Sequence, residues 1–360
     1  MSAPNMNALG RRFAAPGKYS LVNELNQILR RYFWRPAGFV PALESLGESQ
    51  GVASRRDVAA GPNHGEHRLQ VVELAGGKII GNVRLIATAA NVVVGGLQSL
   101  YGCAQPQAEA VLHRRRFRMP KYRRGTALLL ATATSTNYFH WLLECVPRWK
   151  ILQAAEWLEY DFVLLHNEPS RFQDEVLDRL KVPPAKRLRC SKYLVHQFER
   201  LVVPVMPFPL WQVAPWACSW VRSLFPEQAP GPEKVYLRRG KCLRPLANEP
   251  ELESALQPLG FVPVQPDQLT VAGQARLLSS ARCAVAPHGA VLTNMIFAAP
   301  GAMLLELIHP QFKNGCYASL AAACGHRYAC VDGRPVGRAN RHRQEYAVDV
   351  SAVLEELERT

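Results

Sequence analysis

Three groups of residues in this 360-residue chain have types and spacings suited to chemistry. The first is His288-Gly289-Ala290, which closes the short apolar run Ala284 to Pro287. Gly289 removes the Cβ that would hold a ligand off the backbone, and the N–H groups opening a helix over Ala290 to Phe297 face the turn, so the segment suits a diphosphate. His288 is placed to hydrogen-bond that ligand; Asn294 either buttresses the turn or reaches the ligand too. The second group is basic. Arg238, Arg239 and Arg244 follow Val235-Tyr236-Leu237, and guanidinium forks make bidentate, always-charged contacts with phosphate oxygens. Neighbouring strand residues alternate in direction, so we take Arg238 and Arg244, rather than Arg239, as the pair facing the ligand. The third group is His140 and Glu144, whose i, i+4 spacing puts an imidazole and a carboxylate on one helix face. They suit a base and its orienter, and which of the two is the base stays open. Asn137 and Trp141 flank them. Glu306 stands alone among Leu304, Leu305, Leu307 and Ile308, where a buried carboxylate needs partners.

These groups need a framework, and the chain alternates strand and helix around them. Leu128 to Ala131 reads as a strand, Tyr138 to Ala154 as a helix, Asp161 to Leu165 as a strand and Phe172 to Leu180 as a helix. Pro204, Pro207, Pro209 and Pro215 interrupt the pattern, a helix runs on to Leu224, and Pro226, Pro230, Gly231 and Pro232 form the clearest linker. Beyond it come strand Val235 to Arg238, helix Pro250 to Gln257, strand Phe261 to Val264, helix Val271 to Ala281, strand Cys283 to Ala286 and strand Met303 to Ile308. Helix Asn314 to Ala323 and a strand near Tyr328 to Val331 follow. Alternation of this kind builds mostly parallel sheets, whose ligands lie beyond the carboxyl ends of the strands, where Arg238, His288 and Glu306 fall.

The expected architecture is therefore α/β, with two Rossmann-like domains facing a cleft and separate cores. Residues 1–228 form the first domain, of which 1–125 is less regular and β-rich, with a helix over 20–33 and short β-branched hairpin runs, and 126–228 is Rossmann-like. Residues 229–345 form the second domain, and 346–360 a helix packing back on the first domain.

Composition narrows the partners. With 43 Lys+Arg against 29 Asp+Glu the formal net charge is +14, which favours polyanions and anionic headgroups. No zinc-finger, RNP or basic-zipper pattern accompanies the clusters Arg114 to Arg124 and Arg334 to Arg343, so no specific nucleic acid is expected. No apolar stretch reaches the roughly 20 residues of a membrane span, and the N-terminus lacks a signal-type apolar region, so the expected location is cytoplasmic, peripheral on the inner face of the membrane. The nine scattered cysteines show no Cys-x-x-Cys pair and read as reduced, buried residues.

The segments Asn137-Tyr138-Phe139-His140-Trp141-Leu142-Leu143-Glu144 with Pro147-Arg148-Trp149, Val235-Tyr236-Leu237-Arg238-Arg239 with Arg244, and Pro287-His288-Gly289-Ala290 with Pro300-Gly301 and Glu306 together resemble glycosyltransferase family 61, over roughly residues 130 to 310. The resemblance implies an inverting glycosyltransferase of capsule or lipopolysaccharide type with a GT-B-like α/β fold, residues 1–228 being the acceptor-side domain and 229–345 the donor domain, using a nucleotide-sugar donor, UDP-linked by family habit, and a saccharide or lipid-linked acceptor. It places the acceptor hydroxyl at His140 and Glu144, the donor at Arg238, Arg244, His288, Gly289, Ala290 and Asn294, and the nucleotide ribose at Glu306. The family more often has Asp where this chain has Glu144. No cofactor is expected, and the absence of any Asp-x-Asp pair agrees with a metal-independent transfer. The competing reading is a non-catalytic sugar-nucleotide or polyanion-binding protein on the same fold. A dehydrogenase fails on glycine spacing, since Gly95-Gly96 with Gly102 is not Gly-x-Gly-x-x-Gly, and a serine hydrolase lacks Gly-x-Ser-x-Gly.

Overall fold

The computed structural model describes residues 33–34, 38–40, 52–58, 69–94, 117–205, 211–240, 242–337 and 344–359. The helix expected over 20–33, the Arg114 to Arg116 cluster and Arg338 to Arg343 lie outside the described residues. The protein is a mixed α/β structure built on two large sheets with parallel cores. No described helix is long and apolar enough to cross a membrane.

The first sheet contains β1 (Gly38–Val40), β2 (Val52–Val58), β3 (Leu69–Ala75), β4 (Lys78–Ile80), β5 (Leu85–Ala87), β6 (Val92–Val94), β7 (Lys121–Leu129), β8 (Phe162–His166), β9 (Arg187–Cys190) and β10 (Val195–Val205). Its order is β9-β8-β7-β10-β4-β5-β6-β1, with β3 also on β10 and β2 on β3. Strands β7 to β10 form the parallel part, and β3 and β4 join the far edge of β10 antiparallel. The hairpin runs of the sequence are present as strands, but Leu69–Ala75 pairs with β10, not with Lys78–Ile80. Strand β10 is the main element that sequence reading missed. Gln197, Glu199 and Arg200 break its apolar run, and Pro204 reads as a stop, yet its neighbours on both sides bury Leu201, Val202 and Val203 completely. Strand β7 begins at Lys121, so the basic residues Lys121 to Arg124 are the exposed first half of a strand whose second half is core.

The second sheet holds β11 (Lys234–Leu237), β12 (Val262–Val264), β13 (Cys283–Pro287), β14 (Met303–Ile308) and β15 (Arg327–Asp332). All are parallel, in the order β12-β11-β13-β14-β15. In chain order this is 2-1-3-4-5, a doubly wound sheet whose direction of winding reverses between β11 and β13. The crevice at such a reversal is the natural place for a ligand. It receives Arg238 and Arg239 from the end of β11 and His288 and Gly289 from the end of β13.

Helices cover the sheets: α1 (Tyr138–His140), a π-helical turn (Trp141–Cys145), α2 (Val146–Ala154), α3 (Arg171–Arg179), α4 (Pro215–Ser223), α5 (Glu249–Leu256), α6 (Val271–Leu278), α7 (Cys316–Cys324) and α8 (Val350–Arg359). The largest apolar cluster runs from Leu128 and Val163 of the first sheet through Leu142, Ile151 and Val221 to Ala284, Leu304 and Leu320 of the second. The two halves thus share a core on their facing sides, where sequence reading expected separate ones. A second correction concerns α8. It packs on α5 and β15 of the second sheet, not on the first. Val350, Val353, Leu354 and Leu357 form an apolar stripe at i, i+3, i+4 and i+7, and the outer apolar face of the second sheet is the surface that covers it.

Candidate active site

Asn137 starts the first half of the site. Its side chain accepts the Phe139 N–H at 2.9 Å, capping α1 and setting the direction of Tyr138. The helix does not continue as a plain α-helix: the Val146 N–H reaches the Trp141 carbonyl, an i+5 bond that inserts an extra residue into the turn. On this turn His140 Nδ1 meets Glu144 Oε1 at 2.8 Å, so the pair expected from the i, i+4 spacing forms. A carboxylate oxygen accepts, which puts the ring proton of the neutral imidazole on Nδ1. The second Glu144 oxygen is buried without a hydrogen-bond partner. Trp141, expected to flank the acceptor, is fully buried in the shared core and opens on no site.

The second half is the crevice between β11 and β13. Gly289 has an extended backbone, φ 171°, which any residue adopts, so its value lies in space alone. A Cβ there would run into Nε of Arg239, whose side chain crosses the glycine. The missing side chain therefore makes room for an arginine, where sequence reading reserved it for a phosphate. Arg239 donates to the Arg244 carbonyl at 3.1 Å, and Arg244 lies flat over Phe312, 3.8 Å from the ring centroid. Burial, and after it the charge of Arg239, lowers the pKa of Arg244. Arg238, by contrast, turns both Nε and a terminal nitrogen onto Glu253 of α5. Arg239, rather than Arg238, is therefore the arginine that packs on Gly289, although both line the cavity described below. After Gly289 the chain forms the expected helix over Ala290–Phe297, wound as a 3-10 helix.

His288 and Glu306 form a buried pair. Nδ1 of His288 contacts Oε1 of Glu306, and Tyr328 donates its hydroxyl to Oε2 at 2.7 Å. Glu306 has no exposed surface. Both its oxygens are occupied by protein, so it is not open to a ribose, and the partner its burial demanded is the histidine two residues beyond the neighbouring strand position. Nε2 of His288 faces the Asn314 side-chain amide at 3.3 Å, and Phe312 and Tyr317 enclose the ring edge-on. Burial and the Glu306 charge push the Tyr328 hydroxyl far above its ordinary pKa, which keeps it a donor.

Between the halves lies a cavity of about 930 Å³. Asn137, Tyr138, Arg171 and Phe172 line it from the first half, and Arg238, Arg239, Arg244, Gln274, Ala290 and Asn294 from the second. Of the residues singled out in the sequence, Asn137, Arg238, Arg244, Ala290 and Asn294 thus line one cavity. His140, Glu144, Trp141, His288, Gly289 and Glu306 stand behind or beside it. Tyr138, Arg171, Phe172, Arg239 and Gln274 complete it without having been chosen, although Tyr138, Arg239 and Gln274 belong to segments that had been noted. Asp174, Glu175 and Asp178 also face the cavity, but Arg187 and Arg189 hold the two aspartates and Glu175 accepts the N–H groups of Val271 and Ala272 at the start of α6. The charge of these three is compensated locally, whereas Asp267, also in the lining, sets a further carboxylate beside the arginines.

Fold and wall together define an α/β protein whose doubly wound second sheet opens, at its reversal point, onto an arginine-bearing cavity. Residues 138–305 match the model of the family described as Glycosyltransferase 61, and this domain makes the protein a glycosyltransferase. The match starts at Tyr138 of the cavity wall, takes in His140, Glu144, Arg238, Arg239, Arg244 and His288, and stops one residue before Glu306. No curated protein matches the chain.

Proposed function

We propose that this glycosyltransferase transfers a sugar, with inversion and without a metal ion, from a nucleotide-sugar donor to a saccharide or lipid-linked saccharide acceptor. The donor is UDP-linked, and the product belongs to surface polysaccharide of capsule or lipopolysaccharide type, made at the inner face of the membrane. The carrying observation is the 930 Å³ cavity with arginines on one wall and Asn137 and Tyr138, next to the His140 and Glu144 pair, on the other. A nucleoside diphosphate presents two negative phosphates to Arg239 and Arg244 and to the N–H groups opening the 3-10 helix at Ala290 and Val291. In this reading the two sheets are the halves of a GT-B enzyme, with residues 1–228 on the acceptor side and the second sheet, together with α8, on the donor side.

The acceptor hydroxyl gives its proton to Nε2 of His140, Glu144 holding Nδ1, while its oxygen bonds to the anomeric carbon from the face opposite the leaving group. The bond from that carbon to the diphosphate breaks and its electron pair stays on the phosphate, where the arginines receive the charge. A single displacement of this kind inverts the anomeric centre. In the alternative assignment Glu144 takes the proton directly and His140 orients it.

The test is thermal-shift titration with nucleoside diphosphates and nucleotide sugars, with magnesium and with a chelator, followed by analysis of product anomeric configuration. Stabilisation by one nucleoside diphosphate under both conditions, and an inverted product, are the expected results. A salt-sensitive shift with heparin or RNA and none with any nucleotide would overturn the reading in favour of a non-catalytic polyanion-binding protein.

A further inference from the structure

We propose, building on the reading of the cavity as a nucleotide-sugar site, that Asp267 and Gln274 form its nucleoside subsite: the Asp267 carboxylate takes the ribose hydroxyls, and Oε1 of Gln274 takes the ring N–H of a uracil. Both residues line the cavity, Asp267 from the turn after β12 and Gln274 from the first turn of α6. Gly240, which directly follows Arg239, passes close to Asp267 in the left-handed region at φ 61°, and a Cβ there would lie 2.7 Å from Oδ2 of Asp267. The carboxylate thus stands beside the residue next in the chain to the arginine that receives the phosphates, which is where the ribose of a bound nucleotide begins.

Asp267 differs from the other carboxylates of the cavity. Arginines hold Asp174 and Asp178, and the N–H groups of α6 hold Glu175, but among the described residues no hydrogen bond or ion pair reaches Asp267. A carboxylate repels a diphosphate, so the part of the ligand that meets it has to be one that donates. Gln274 adds a second acceptor. It is only 5% exposed, and its Nε2 donates to the Leu269 carbonyl at 3.2 Å, which fixes the end of the amide that carries the oxygen. Oε1 has no partner among the described residues, so the protein holds this acceptor rigidly without satisfying it.

The cavity therefore presents donors on Arg239 and Arg244 and acceptors on Asp267 and Gln274. A nucleoside diphosphate is divided in the same way: its phosphate oxygens accept, whereas its two ribose hydroxyls and the N3–H of uracil donate. Leu269, 44% exposed, and Phe172 on the opposite side of the cavity supply apolar surface for the faces of the base. Cytosine carries a lone pair at N3 where uracil carries a hydrogen, and would set acceptor against acceptor at Oε1. The subsite thus selects uridine over cytidine nucleotides, and ribose over a sugar without its hydroxyls.

The test is calorimetric titration of the intact protein, in the presence of a chelator, with UDP, CDP, 2′,3′-dideoxyuridine diphosphate and inorganic pyrophosphate. The wild-type chain should bind UDP about tenfold or more tightly than CDP or the dideoxy analogue. Asp267→Ala should remove the preference for ribose, weakening UDP by about that factor while strengthening pyrophosphate, because a negative charge beside the arginines is gone. Gln274→Met, similar in size, should bring UDP and CDP to nearly equal affinity. If the carboxylate only tunes the charge of the cavity, Asp267→Ala strengthens UDP and pyrophosphate alike. That result, or equal binding of UDP and CDP by the wild-type chain, overturns the proposal and leaves the donor site standing. Failure of the wild-type chain to bind any of the four would instead overturn the donor reading itself, and the subsite with it. The wild-type comparisons require no variant to fold.

Discussion

The Tyr138 hydroxyl donates to Oδ1 of Asn294 at 3.0 Å, joining the first turn of α1 to the 3-10 helix of the second sheet across the floor of the cavity. Asn294 is fully buried and spends its amide N–H on the Val291 carbonyl, so Oδ1 has this one partner to satisfy it. Tyr138→Phe keeps the ring on Phe172 and leaves that oxygen unpaired. A loss of about 1 to 2 kcal/mol is expected, read as a lower midpoint in urea unfolding. An unchanged midpoint would show that the two halves are not coupled through this bond.

Arg238 and Arg239 should separate cleanly. Arg238→Ala removes a partly exposed ion pair to α5 and should cost well under 1 kcal/mol of stability, with nucleotide affinity nearly unchanged. Arg239→Ala should weaken nucleoside diphosphate binding about tenfold or more, measured by calorimetry. The opposite ranking would restore the strand-parity assignment.

Gly289→Ala tests the same contact from the other side. Its extended backbone tolerates alanine, but the new methyl group displaces Arg239. Nucleotide affinity should fall by a factor similar to that of Arg239→Ala, and the double variant should lose little more. Additive losses would mean that glycine and arginine act separately.

Glu306→Gln separates a buried support from a ribose ligand. The amide puts a donor where His288 or Tyr328 already donates, so a loss of about 2 to 4 kcal/mol in chemical unfolding is expected without any nucleotide present. A ribose contact would leave the unliganded protein's stability intact and weaken only binding.

His196 gives the expected dependence of stability on pH. Burial, and then the charges of Arg123 and Lys121, lower its pKa to about 4. Between that value and the ordinary 6.5, the unfolded chain binds the proton and the folded one does not, so stability rises with pH across this window and is complete above it. Unfolding free energy should increase by about 2 kcal/mol from pH 4 to pH 7, and His196→Phe should flatten the increase. A slope unchanged in the variant would assign the effect to other groups.

The alternation of elements, the glycine turn after β13, the His140 and Glu144 spacing and the family resemblance were legible in the chain because each depends on neighbours within a few residues. Period-2 and period-3.6 patterns, a cap or an i, i+4 pair are local physics, and the strands around Arg238, His288 and Glu306 were located within a residue or two. Strand β10 was not legible. Its polar middle is offset by pairing with strands more than seventy residues away, and no local pattern records that.

Tertiary structure alone decided that Arg239 packs on Gly289 while Arg238 pairs with Glu253, and that Glu306 belongs to His288 and Tyr328. It also decided that α8 covers the second sheet. All three are matters of packing between distant segments. The sequence determined which chemical groups exist and roughly where each lies along its own element. The order 2-1-3-4-5 and the shared core determined which of them meet, because burial forces every charge and apolar stripe to find its partner from whatever surface lies next to it.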